Sequence, residues 1–278
     1  MNKTWVAVAL AGALGLASSG VMAQTTVFPD FVVNESAIAG ALPGTFTADK
    51  ITGNYVEVIT FGANNTFDVS LKFQAGQFVA NDGKTPITDA QLGGKTANQY
   101  QLYALYQASG TTSAGDNGAT KFTVSKGGSL NLWSDANSDT TFGQPATGKD
   151  AFTRTGNTTD DVLLATGMPL SGEGNLTPKS SACGSGSGSG IDCGSFGNTV
   201  SFNLTGDGSK YFTSPSPFYQ LSFQSGQLNN FDASGTQVIN GSLDLVFVGN
   251  AVPEPASIAL LGLGLVGLGL SRRRSKKV

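Results

Sequence analysis

The sequence predicts an all-β protein whose body is an antiparallel β-sandwich or jelly-roll-like domain. Charged residues make up only 13% of the chain and glycine occurs 38 times, which favours strands joined by tight turns over long helices. Several segments alternate apolar and polar residues with the period of two that a strand requires. Because Gly/Asn-rich clusters separate these segments, we expect many short strands connected by turns.

The predicted strands follow one another along the chain. In residues 66–79 one face is apolar and the other polar, the apolar set being Phe67, Val69, Leu71 and Phe73. Residues 98–109 carry large apolar side chains in both alternating sets, so both faces of that strand are expected to be buried. Shorter runs predict further strands at 54–61, 121–124, 129–133, 200–204, 218–223 and 242–248, with turns at 62–65, 81–83, 116–118 and 206–208.

The first residues predict a secretory signal peptide over 1–23. Lys3 supplies a positive charge, residues 6–16 are an apolar stretch, and Val21-Met22-Ala23 forms a small-residue cleavage site before Gln24. The apolar stretch is too short for a membrane-spanning helix. A β-rich extracellular domain is then expected over 24–250 and a C-terminal sorting signal over 251–278.

The sorting signal has three parts, each with a physical role. Pro253-Glu254-Pro255 forms a rigid extended tripeptide, residues 256–270 form an apolar helix that enters the membrane, and Arg272, Arg273 and Arg274 stop it on the cytoplasmic side. A helix of this length spans about 22 Å, which is short for a hydrocarbon core of about 30 Å. A permanent membrane anchor is the alternative, but a segment that is held briefly and then cleaved fits these residues better.

This segment resembles the PEP-CTERM signal of exopolysaccharide-producing Gram-negative bacteria. The resemblance implies that an exosortase recognises Pro253, Glu254 and Pro255 and removes the tail, after signal peptidase has removed the leader. It places the mature protein at the cell surface or in the extracellular matrix.

The body also resembles flocculation-associated PEP-CTERM proteins of floc-forming betaproteobacteria, through residues 31–35, 54–57, 130–142 and 241–245. That resemblance implies a protein that promotes cell aggregation in an exopolysaccharide matrix. A carbohydrate-binding module is the alternative, with Trp133, Tyr103 or Tyr219 stacking on sugar rings.

Charge and composition narrow the classes of function. Without Lys3, Glu254 and the five C-terminal cations, the chain has 10 basic and 18 acidic residues, a net charge of −8. Nucleic-acid binding is therefore not expected. The chain has no histidine, which excludes Ser-His-Asp and Cys-His catalysis. The adjacent Asp160 and Asp161 would point to opposite faces of a strand, and no glycosidase-like carboxylate pair is recognisable, so we expect no enzyme.

Cys183 and Cys193 flank a Gly/Ser-rich loop. In an exported protein this pattern favours a disulfide that closes the loop. A zinc site is the alternative, but two thiols without histidine make a poor ligand set.

One acidic segment suggests a cation. Asp135, Asn137 and Asp139 place oxygen side chains at every second position, as at the start of a calcium loop. Thr140 and Ala146 stand where an EF-hand requires Gly and Glu, which excludes that motif. Two interpretations stay open: a calcium-stabilised β-loop, or a solvated turn whose side chains bond the local backbone. No other cofactor is expected.

Overall fold

The computed structural model describes residues 28–93, 98–177, 183, 193–226, 228–229 and 231–249, all inside the predicted domain 24–250. The predicted signal helix over 1–23 and the sorting signal over 251–278 lie outside the described residues. In the part of the chain that is described, no helix is long and apolar enough to cross a membrane.

Strands dominate the described chain, which confirms the all-β prediction. Short helical turns occur at Glu35–Ala37, Ala63–Asn65 and Asp116–Gly118, and a single-turn helix, α1, spans Gly208–Tyr211. The strands are β1 Phe31–Asn34, β2 Thr45–Ala48, β3 Lys50–Phe61, β4 Thr66–Ala80, β5 Thr85–Pro86, β6 Gln101–Ala114, β7 Thr120–Val124, β8 Ser129–Asp135, β9 Thr140–Gly143, β10 Thr153–Gly156, β11 Asp161–Gly167, β12 Pro169–Leu176, β13 Gly194–Val200, β14 Asn203–Leu204, β15 Phe212–Ser214, β16 Gln220–Ser225 and β17 Thr236–Val248.

Eight of these strands form a closed antiparallel ring in the order β6-β7-β12-β13-β16-β17-β3-β4. The ring closes because β4 pairs with β6 over nine residues, from Thr66↔Thr111 to Gln74↔Tyr103. The predicted antiparallel sheets are thus joined through continuous backbone hydrogen bonds, and closure leaves no free edge along the ring.

Strand β6 belongs to two parts of the sheet. Its first half pairs with β8, which continues through β11 to β14, while its second half pairs with β7. Gly110 is the first β6 residue that pairs with β7. A Cβ there would overlap the carbonyl oxygen of Thr123 and the ring of Phe67, so glycine permits the close approach of β7.

The alternating patterns predict burial well on the central strands. All four apolar residues of the β4 pattern are at most 7% exposed. Both faces of β6 are buried, as expected, since Leu102 and Tyr103 are each 0% exposed. The hairpin of β9 and β10 lies against Tyr103, whose ring centroid is 4.8 Å from that of Phe142.

The apolar core continues to where the small sheet β15-β1-β2 packs against the ring. Phe31 lies in this part of the core, 4.8 Å from Phe247 and 5.9 Å from Phe212 by ring centroids. Edge-to-face contacts dominate this part of the core, as expected for densely packed aromatic rings.

The predicted boundaries differ from the structure in two ways. The predicted strand over 200–204 is two strands, because β13 ends at Val200 and β14 begins at Asn203. Strands β1, β2, β5, β9 to β12 and β15, and all of β13 except Val200, were not predicted. In β12, Gly172 and Gly174 obscure the alternation, and the absence of a Cβ at Gly172 leaves room for the side-chain amide of Asn198 on β13.

Candidate functional site

Three carboxylates meet where β8 ends. Asp135 is the last residue of β8, Asp139 precedes β9, and Asp160 precedes β11. The antiparallel pairing of β8 with β11 sets Asp135 opposite Asp161, which brings the two chain segments together. One oxygen from each of Asp135, Asp139 and Asp160 lies within 4.8 Å of the other two. We call these three residues the acidic cluster.

Asp135 organises the loop that follows it. It is 0% exposed, and its Oδ1 accepts hydrogen bonds from the backbone N–H of Asn137 at 3.2 Å and of Asp139 at 3.4 Å. Its Oδ2 accepts from Thr140 N–H at 3.0 Å. Burial raises the pKa of Asp135, although these backbone hydrogen bonds act in the opposite direction. The expected bonding of an Asx side chain to the local backbone is therefore present within the acidic cluster.

Asn137 lies beside the cluster and holds one of its members. Its side chain is exposed, and its Nδ2 donates to Asp160 Oδ2 at 2.8 Å while its backbone N–H donates to the same oxygen at 3.2 Å. Of the three residues that the sequence pattern selects, Asp135 and Asp139 lie in the cluster. Asp160 completes it, and the sequence pattern missed this residue because it lies 21 positions further along the chain.

Several oxygen atoms of this region have no hydrogen-bond partner among the described residues. They are Ser138 Oγ, Asp139 Oδ1 and Asp160 Oδ1, and each is buried. Ser138 as a whole is only 2% exposed. Buried polar atoms are normally paired, so the unpaired oxygens of Asp139 and Asp160 leave two members of the acidic cluster without an expected partner.

Arg154 lies close to this region but neutralises a different carboxylate. Its Nη1 donates to Asp161 Oδ2 at 3.0 Å and to the Tyr103 hydroxyl at 3.3 Å. Its guanidinium lies 3.7 Å from the ring centroid of Trp133, a cation–π contact. Thr140 Oγ1 also donates to Asp161, whose side chain is 0% exposed. Among the described residues, no lysine or arginine forms an ion pair with the acidic cluster.

The aromatic residues suggested for sugar stacking are occupied by contacts within the protein. Tyr103 is 0% exposed and its hydroxyl donates to Asp161 Oδ2 at 2.6 Å, so it cannot stack on a sugar. Arg154 covers the ring of Trp133. Tyr219 stacks on Phe247, with 29° between the ring planes, and its hydroxyl donates to Asp30 O at 3.1 Å.

A pocket of about 60 Å³ is lined mainly by residues of the ring strands. Its lining is mostly apolar, and Glu57 projects into it from the middle of β3. Glu57 is 8% exposed. Burial raises the pKa of its carboxyl to about 7, because an apolar environment disfavours the charged form.

The predicted disulfide between Cys183 and Cys193 is confirmed. Both residues are buried, at 2% and 1% exposure. The Cys193 N–H donates to Leu228 O at 2.9 Å, so the disulfide lies against the segment between β16 and β17. The residues between the two cysteines that the sequence places in a Gly/Ser-rich loop lie outside the described part.

Sequence comparison identifies a signal beyond the described residues. Residues 251–274 match the PEP-CTERM protein-sorting motif, a segment that contains Pro253, Glu254 and Pro255 and also Arg272, Arg273 and Arg274. No curated protein and no solved structure matches the chain. Proteins with this motif are exported and processed by an exosortase, which places them at the cell surface or outside the cell. The chain therefore carries a PEP-CTERM protein-sorting motif at residues 251–274.

Proposed function

We propose that the exported body promotes cell aggregation and floc formation in association with exopolysaccharide, without a catalytic role of its own. The sorting motif at residues 251–274 carries this proposal, because it directs the chain to the cell surface or the extracellular space, where a protein that aggregates cells must act. The body's net charge of −8 supports a soluble surface that reaches acidic polysaccharide through bridging cations.

The fold supports a durable extracellular role. The closed ring offers no free strand edge of its own, and the buried disulfide tethers the 183–193 loop. Such features suit a protein that must persist outside the cell without chaperones.

The carbohydrate-binding alternative gains no support from the aromatic side chains. Tyr103 is fully buried and Trp133 lies under Arg154, whereas sugar stacking needs an exposed ring face. Pull-down of the purified protein with the host's matrix polysaccharide, with and without a divalent cation, separates the two functions. Binding that persists in chelator would favour a dedicated sugar site.

A complemented deletion strain tests the proposal. Deleting the gene is expected to reduce the fraction of cells that settle as flocs, and the full chain is expected to restore it. A variant with Pro253, Glu254 and Pro255 all changed to Ala is expected to be expressed, to stay out of the matrix fraction, and to fail in restoring settling. Normal flocculation of the deletion strain would overturn the proposal.

A further inference from the structure

We propose that Asp135, Asp139 and Asp160 bind a calcium ion that joins the ends of β8, β9 and β11. The site combines two chain segments that the β8–β11 pairing brings together. The calcium proposal does not depend on the role in flocculation, because the three carboxylates are close together whether or not the protein aggregates cells.

The spacing of the carboxylates matches one shared ion. Calcium takes oxygen ligands at about 2.4 Å, so two oxygens on the same ion lie no more than about 4.8 Å apart. One oxygen from each of the three aspartates meets this limit with respect to both others.

The unpaired atoms show that the cluster is incomplete without a ligand. Asp139 Oδ1 and Asp160 Oδ1 are buried and have no hydrogen-bond partner among the described residues. The neighbouring Ser138 is 2% exposed and its Oγ is likewise unpaired. Buried anionic oxygens normally have a donor or a cation beside them, and a bound cation would satisfy several of these atoms at once.

Among the residues that the structure describes, no lysine or arginine forms an ion pair with this cluster. The nearby guanidinium of Arg154 pairs with Asp161, whose side chain is 0% exposed. In the described chain, the remaining ion pairs of lysine involve Asp244, Asp68 and Asp207. Three carboxylates at this spacing repel one another strongly unless a positive charge separates them.

The donor chemistry favours calcium. All the available atoms are oxygens, and the chain has no histidine while its two cysteines form the disulfide, so a zinc set is not available. Magnesium demands near-ideal octahedral geometry, whereas calcium accepts the irregular arrangement that two loops provide. Export also places the site where calcium is abundant enough for affinities of about 0.1–1 mM, as in extracellular modules.

Thermal unfolding of the full chain after removal of metals by a chelator tests the site. CaCl2 is titrated from about 0.01 to about 10 mM, a range that brackets the affinity of extracellular calcium modules. We expect a saturable rise in Tm, with MgCl2 giving a smaller rise at equal concentration. A Tm that does not respond to calcium over this range would overturn the proposal.

Matched substitutions separate ligand loss from general damage. Asp160→Asn is expected to weaken calcium binding at least tenfold, and its metal-free form is expected to melt at or above the wild-type Tm because one repelling charge is gone. Asp116→Asn makes the same chemical change at an exposed turn and is expected to keep the wild-type response. Equal calcium affinity in Asp160→Asn and the wild type would contradict the assignment.

Terbium provides a second readout that does not depend on stability. Trp133 precedes Asp135 by two residues in β8, about 7 Å along a strand, which is close enough for energy transfer to a bound ion. Tryptophan-excited terbium emission is expected in the wild type, to be displaced by calcium, and to be absent in Asp139→Asn. That variant leaves the Asn137–Asp160 contact in place, so it replaces Asp160→Asn if the latter fails to fold. Terbium emission that calcium does not displace would count against a shared site.

Discussion

Replacing Glu57 with Gln is expected to remove a large, pH-dependent loss of folding stability that arises from this buried carboxyl inside the ring. Glu57 lies on the inward face of β3, is 8% exposed, and borders the pocket of about 60 Å³. Among the described residues, none donates a hydrogen bond to its carboxylate. Burial alone raises its pKa from 4.5 to about 7, so the folded protein keeps this carboxyl protonated where the unfolded chain has already ionised.

The magnitude follows from linkage between proton binding and folding. Between pH 4.5 and about 7 the folded state holds one proton more than the unfolded state, so stability falls as pH rises through this window. A pKa difference of this size, at about 1.4 kcal/mol per pH unit, corresponds to about 3 kcal/mol. The penalty is absent below pH 4.5 and fully present above pH 7.

Denaturant unfolding between pH 4 and pH 8, followed by circular dichroism, measures the effect as a difference between variant and wild type. The stability of Glu57→Gln relative to wild type is expected to increase by about 3 kcal/mol from the acid to the alkaline end. Other carboxyls with raised pKa values, Glu35, Asp49 and Asp135, are present in both proteins and cancel in this difference.

The exposed Glu173 provides a matched control, since it borders the same pocket. Glu173→Gln makes the same chemical change without removing a buried carboxyl, so it is expected not to reproduce the change of about 3 kcal/mol between pH 4 and pH 8. A Glu57→Gln difference that stays flat from pH 4 to pH 8, or that falls with pH, would refute the reasoning.

Three further predictions concern stability, each measured by denaturant unfolding at neutral pH. Arg154→Met is expected to lower the free energy of unfolding by about 3 kcal/mol, because it leaves the fully buried carboxylate of Asp161 without its cation. A loss below about 1 kcal/mol would show that this ion pair contributes no more than an exposed one. Gly110→Ala is expected to lower the free energy of unfolding by about 2 kcal/mol, because the added Cβ overlaps neighbouring strands. Gly206→Ala is the control: it has open space around its Cα and should change stability by less than about 0.5 kcal/mol. Equal losses of stability in the two variants would contradict the close approach of β7. Replacing Cys183 and Cys193 together by Ser is expected to lose about 3 kcal/mol for a loop of this length, and a reducing agent should lower the wild type, but not the double variant, by a similar amount.

The fold could be predicted where the residues of a single strand show a clear alternation of apolar and polar side chains. Strand β4 buries every apolar residue of its alternating pattern, and β6 buries both faces, because each pattern depends only on neighbouring residues. Strand β12 could not be recognised, since glycines at 172 and 174 interrupt its alternation of apolar and polar residues.

The candidate site could be predicted only in part for a similar reason. Asp135 and Asp139 belong to one short sequence pattern, so the sequence alone identifies both of them. Asp160 joins them only through the register of β8 with β11, which no local pattern specifies. The same register turns Asn137 from a candidate ligand into a donor that holds Asp160.

The sequence by itself determined the sorting motif, the all-β class, the disulfide and the absence of histidine chemistry, because each of these depends on residue identity or on short spacing along the chain. The tertiary structure alone decided that the sheet closes between β4 and β6, that Glu57 faces an apolar interior, and that Asp160 joins Asp135 and Asp139. These features depend on pairing between strands that are far apart in the chain, and pairing is set by the packing of the whole domain and not by any one segment.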